Sequence, residues 1–98
     1  MRYTVNTKSL ESLRKEIDEL DEKLVVLLTQ RMNVALAIAD LKDNSISSVQ
    51  AKHRVKKVLD RVAKIASNNN GNEQFVRKIY SVIIEELTTL QLMKKGLM

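Results

Sequence analysis

The stretch LLTQRMNVALAIADLK, residues 27–42, decides how this chain is read. As a helix it continues an apolar seam that begins upstream with Leu10, Leu13, Ile17, Leu20, Leu24 and Leu27. The spacing alternates three and four, the pattern of an amphipathic or heptad-like helix. Arg31 then occupies the next seam position, Val34, Ile38 and Leu41 resume it, and Lys42 follows directly. A cation inside a hydrophobic stripe calls for an anion or a route to solvent, because an unpaired buried charge is costly.

The rest of the chain extends the helical pattern. Proline is absent, glycine occurs only at positions 71 and 96, and Leu, Lys, Glu and Ala are abundant. With so few breakers the fold class is all-α. Thr7 or Ser9 can cap the first helix, and DNSISS, residues 43–48, is a polar, turn-prone break. A second helix is expected over 50–68, with Val55, Val58, Leu59, Val62, Ile65 and Ala66 inward. NNNG, 68–71, is expected to form a C-cap and turn. A third helix follows over 72–94, burying Phe75, Ile79, Val82, Ile83, Leu87 and Leu90. The whole of residues 1–98 is read as a single domain, with 1–7 an irregular N-terminal segment.

A first helix of about 35 residues is roughly 50 Å long. A compact domain of this size is only about 26 Å across. The helix is therefore expected to overhang its own domain and to need a second chain along its seam. A two-fold homodimer is the simplest such arrangement. On periodicity alone, a coiled-coil dimerisation module without activity fits as well.

Composition removes several function classes. There is no cysteine and only one histidine, so disulfides, thiol chemistry and a zinc or copper centre are not expected, and the setting is read as cytoplasmic. No uninterrupted run of 18 apolar residues and no secretory leader pattern occur, so no membrane association is expected. The net charge of +5 and pI near 9.6 point to an anionic partner. Nucleic acid is disfavoured, since the aromatics are only Tyr3, Phe75 and Tyr80 and no basic run or helix-turn-helix pattern is present.

The candidate site residues follow from helical geometry. Arg31 and Lys42 are eleven residues apart, about three turns, and share a face with the small Ala35 between them. Arg14 lies seventeen residues before Arg31 and points about 100° away, toward a partner's site rather than its own. Arg54 interrupts the apolar face of the second helix and Gln91 that of the third. Singly, each has an ordinary reading as a solvated or hydrogen-bonded side chain. Together they give each helix one or more polar groups that could face a shared small polyanion.

At these residues the sequence resembles the all-helical chorismate mutases. LRKEIDELDEKLVVLLTQRMNVALAIADLK (13–42) is similar to the family's first helix, HRVKKVLDRV (53–62) to its second and IYSVIIEELTTLQ (79–91) to its third. The resemblance implies an intertwined helical homodimer of three helices per chain, no cofactor, and a small dianionic substrate. It implies that Arg14 crosses into the partner's site and that Arg31 grips a substrate carboxylate within its own chain. Lys42 and Gln91 would act on the ether oxygen, Arg54 would lie near the ring, and Ala35, Ile38, Val55 and Leu87 would line the pocket.

A Claisen rearrangement suits such a set. It is pericyclic and needs no nucleophile or general base, only a folded substrate and donors for the charge that develops on the ether oxygen. Three positions depart from the family pattern. Val55 stands where a Glu is usual, Ala51 where an acid is common, and Leu87 where a small hydroxyl residue is common. These departures leave chorismate, 4-amino-4-deoxychorismate and, through an isochorismate pyruvate lyase, isochorismate as substrates. A catalytically silent regulatory dimer remains the alternative from another class.

Overall fold

The computed structural model describes residues 8–98. Four α-helices make up the described chain, with no strand among the described residues: α1 (Leu10–Leu41), α2 (Ile46–Gln50), α3 (Lys52–Asn68) and α4 (Glu73–Lys94). The three expected helices are present, and an additional short helix, α2, begins inside the break at 43–48 and runs on to Gln50, so that the second expected helix starts at Lys52 rather than at 50. The cause of α2 is local. Asp43 Oδ1 accepts from the Ser45 N–H at 3.0 Å and hydroxyl at 2.6 Å, and the Ser45 hydroxyl accepts in turn from the Ser48 N–H at 3.1 Å. Ser45 is thus an N-cap that starts a new helix where composition alone suggested a turn.

The chain divides into two compact units, residues 1–31 and 32–98. The described part of the first is the N-terminal two-thirds of α1. Ser9 starts it, its hydroxyl accepting from the Ser12 N–H at 3.0 Å. Thr7, the other expected cap, and the 1–7 segment lie outside the described residues. Lys8 pairs with Glu16 at 2.6 Å. The seam of this unit is open: Ile17, Leu20, Leu24 and Leu27 are each more than half exposed.

The second unit contains the end of α1 and the other three helices. Its core is small-residued, built from Ala39, Val49, Val58, Val62, Ala63, Ala66 and Leu92. The α3–α4 hairpin turns through a Schellman motif, in which Gly71 N–H donates to Ala66 O at 2.7 Å and Asn70 N–H to Ser67 O at 3.3 Å. Asn70 takes the left-handed conformation (φ 58°). Gly71 is needed for space instead, since a Cβ there would sit 3.0 Å from Ala66 O. Asn72 then caps α4 through its Oδ1, which accepts from Phe75 N–H at 2.9 Å. Asp60 ties the two helices together, accepting from Lys56 at 2.9 Å and from Arg77 at 3.1 Å.

Two expected inward faces differ from the observed ones. In α3, Val58, Val62 and Ala66 are buried with Ala63, whereas Ile65 is exposed. In α4, Gln91 and Leu92 are the buried residues, and Phe75, Ile79 and Val82 are open. The stripe on α4 is wider than one neighbouring helix can cover, so much of it stays in water within a single chain.

By length and composition α1 is apolar enough to cross a membrane, with a mean hydropathy of 1.5 over 18 residues. The apolar stretch is not an uninterrupted run, since it contains Arg31 and Asp40.

Candidate functional site

Gln91 is the buried polar side chain of α4, at 6% exposure. Its Nε2 donates to the carbonyl oxygen of Ala35 on α1 at 2.6 Å. An amide NH₂ carries two donors. One is spent on the backbone of α1, which fixes the plane of the amide and the direction of the second. Two residues of the expected site, Gln91 and Ala35, are therefore in direct contact.

Lys42 lies just past the last residue of α1 rather than inside it, its N–H bonding to Ala39 O at 3.3 Å. The helix ends early because Asp43 and Ser45 draw the following backbone into the α2 cap. Lys42 is half-buried, and its Nζ donates to Val49 O at 3.0 Å, where Val49 is fully enclosed. Burial, and second the positive charge of Lys95, lower its pKa below the ordinary lysine value. This is a held lysine, unlike the solvated helix-end lysine that position alone suggested.

Arg54 is exposed and Val55 half-buried, both in the first turn and a half of α3. That turn contains no acidic residue, and Lys52, His53 and Arg54 open it. The turn is entered through Ala51, which adopts the left-handed conformation at φ 44°, ψ 55° and serves as the end of α2 and the start of α3. A non-glycine residue there is strained by about 1–2 kcal/mol. Ile38 is 46% exposed and Leu87 half-buried, so the expected apolar lining is partly open. Arg14 is exposed and Arg31 half-buried; both belong to the first unit.

A separate apolar cleft of about 330 Å³ opens between the end of α3 and the start of α4, lined by Val62, Ile65, Phe75, Val76 and Tyr80 among others. None of the expected site residues lines it, and it offers no cation to a dianion.

Two residues near Lys42 escaped the sequence reading. Lys95 Nζ donates to Ala39 O at 2.6 Å and to Lys42 O at 2.7 Å. Lys94 Nζ reaches Asp40 at 3.0 Å and Leu36 O at 3.3 Å. The available signal was that Lys95 follows Gln91 by four positions, one helical turn along the same face.

Residues 13–92 match the chorismate mutase type II family. The chain belongs to the chorismate mutase type II family. It is thereby placed among isomerases. It is 31% identical over 84 residues to the chorismate mutase of Methanocaldococcus jannaschii, covering 86% of this chain and 85% of that protein. It is 32% identical over 82 residues to the 4-amino-4-deoxychorismate mutase of Streptomyces venezuelae, covering 84% of this chain and 80% of the relative. A bifunctional chorismate mutase/prephenate dehydratase of Buchnera aphidicola is 32% identical over 86 residues, covering 86% of this chain and only 22% of that protein. The chain thus spans most of two stand-alone mutases and about a fifth of the two-activity enzyme.

Proposed function

We propose that the chain is a chorismate mutase acting on chorismate, or on its 4-amino-4-deoxy analogue, as a homodimer whose sites each take Arg14 from the partner. The observation that carries this reading is the pair of restrained donors in the second unit: the buried Gln91 amide anchored on Ala35 O, and the half-buried Lys42 held at Val49 O. An amide and an ammonium group are both hydrogen-bond donors, and a pericyclic reaction asks for no nucleophile or general base. Both can donate to an ether oxygen that gains negative charge as its C–O bond breaks. A preorganised donor of this kind contributes about 3 kcal/mol, so two would supply about four decades of rate.

The arginines serve the other requirement. Arg31, and Arg14 from the second chain, each clamp one carboxylate in a bidentate manner and hold the enolpyruvyl arm folded over the ring. Arg54 adds positive potential at the ring side, and Ala35, Ile38, Val55 and Leu87 form the apolar walls. The open seam of α1 supports the dimer. Leu20, Leu24 and Leu27 are each at least 55% exposed, and full burial of such a side chain is worth about 1.5–3 kcal/mol. A membrane is the less favourable cover, because Arg31 at the centre of a spanning helix costs about 2.5–3.5 kcal/mol. Together with the absence of cysteine this favours a cytoplasmic enzyme.

Between the substrates, chorismate is favoured by the first turn of α3. A neutral ring hydroxyl beside Val55 loses an acceptor, whereas an ammonium would meet Lys52 and Arg54 with no carboxylate in that turn. The similarity to a 4-amino-4-deoxychorismate mutase keeps the analogue as the second candidate. Separate incubation with chorismate, isochorismate and 4-amino-4-deoxychorismate, with products identified by mass and ultraviolet absorbance, tests the assignment. Prephenate from chorismate is the expected product; pyruvate and salicylate from isochorismate alone would overturn it.

A further inference from the structure

α1 carries no basic residue in its last turn, so its own sequence does not complement the negative end of its dipole. The last carbonyls of a helix lack intrahelical partners and need them from elsewhere. Here Lys94 and Lys95, at the end of α4, bring positive charge and donors to this stretch from more than 50 positions away. Lys95 Nζ holds Ala39 O at 2.6 Å and Lys42 O at 2.7 Å, and Lys94 Nζ holds Leu36 O at 3.3 Å while pairing with Asp40 at 3.0 Å.

Lys95 is itself fixed. Its N–H donates to Gln91 O at 3.1 Å, and a second Schellman motif closes α4 behind it, with Gly96 left-handed at φ 70° and Leu97 N–H bonded to Leu92 O at 2.9 Å. Three of the five residues from Gln91 to Lys95 thus hold the end of α1 and the residue after it: Gln91 at Ala35, Lys94 at Leu36 and Asp40, and Lys95 at Ala39 and Lys42.

We infer that Lys95 is a positioning residue for Lys42: by gripping the carbonyl oxygens of Ala39 and Lys42 it fixes the backbone from which the Lys42 side chain departs. This rests on the reading of Lys42 as a donor to the substrate. The placement has a second consequence, since a cation held against the Lys42 carbonyl also disfavours a charged Lys42 and contributes to its lowered pKa. Of the neighbouring charges, Asp40 is paired with Lys94 and Asp43 is bonded to Ser45; α2 (ISSVQ) contributes none, and α3 opens with Lys52, His53 and Arg54.

Lys95→Met keeps the length of the side chain and removes both donors and charge. The expected result is a fall in kcat of about 10-fold, less than the roughly 10²-fold that a full 1 Å misplacement can cost, with KM changed less than about 3-fold. The alkaline limb of the rate profile should move upward, toward the ordinary lysine range, and amide exchange over residues 38–42 should quicken. Lys95→Arg should restore most of kcat, and Lys94→Met should leave the alkaline limb in place. Wild-type kcat and an unmoved alkaline limb in Lys95→Met overturn the inference. Lys42→Ala, run in parallel, separates the two readings. If Lys42→Ala keeps full turnover, the donor role of Lys42 fails and the positioning role with it. If Lys42→Ala is inactive while Lys95→Met is unaffected, only the positioning role fails.

Discussion

The Gln91 side chain donates to the Ala35 carbonyl at 2.6 Å across 56 positions of sequence. Ala35 O is an interior helix carbonyl, so this is a second bond to an acceptor that α1 already uses. Replacing Gln91 by Leu removes the donor and leaves no buried group stranded. Stability should change by no more than about 1 kcal/mol, read as a small shift in melting temperature. Turnover should fall about 10²–10³-fold, the loss typical of one preorganised donor. A Gln91→Leu enzyme with near-native kcat would remove Gln91 from the reaction.

Lys42 gives a pH prediction. Its pKa is lowered in the fold, burial first and Lys95 second, below the ordinary 10.5. The unfolded chain then binds a proton that the folded chain sheds earlier, so the charged form costs the fold stability at neutral pH. That cost is relieved as pH rises through the lowered value. Lys42→Met should abolish turnover and melt no lower than the parent at neutral pH. Its advantage should shrink between the lowered pKa and 10.5. Chemical denaturation of both proteins from pH 7 to 11 checks the sign.

The seam of α1 predicts association. Its unfolding midpoint should rise with protein concentration, as linkage to a dimer requires. Leu24→Lys should lower that midpoint and reduce activity together, because it places a charge where a second chain is proposed to lie. Sedimentation with lipid vesicles should leave the wild-type protein in the supernatant. An active, stable monomer at high dilution would sink the dimer.

Val55→Glu tests the substrate. Valine gives a ring hydroxyl no acceptor, a deficit of about 1–3 kcal/mol or one to two decades in kcat/KM. Val55 is half-buried near the positive end of α3, with Lys52 and Arg54 in the same region and no acid in the first turn. A carboxylate there is favoured by the dipole and by those charges. Chorismate turnover should therefore improve without loss of melting temperature. A less stable variant with no gain on chorismate would mark Val55 as a core residue only.

Ala51 offers a stability test. At φ 44° it adopts a conformation that glycine takes freely. Ala51→Gly should raise stability by up to about 1 kcal/mol, read from denaturant melts. A drop would mean that the methyl group's packing outweighs its backbone strain.

Periodicity was enough for the long elements, because a helix with three-and-four apolar spacing needs only local hydrogen bonds and a face to bury. It gave α1, α3 and α4 to within two residues, and the NNNG turn. It missed α2, whose cap depends on Asp43 and Ser45 bonding to one another, and it put the left-handed residue of the hairpin turn nowhere in particular, where the fold chose Asn70. It also extended α1 through Lys42, which the same cap draws out of the helix.

For the site, residue types and order were legible: Arg14, Arg31, Lys42, Arg54 and Gln91 stand out as polar groups on apolar helices whatever they touch. What the sequence by itself determined is that inventory, together with an apolar seam too long for one small chain to cover. Which of those groups are restrained, and by what, was decided only by tertiary structure. Gln91 meets Ala35, Lys42 turns to Val49, and Lys95 caps a helix more than 50 positions away. The physical reason is that side-chain periodicity reports which face a residue occupies, whereas a hydrogen bond depends on the separation of two backbones, and that separation is set by how the small residues of the core let the helices approach.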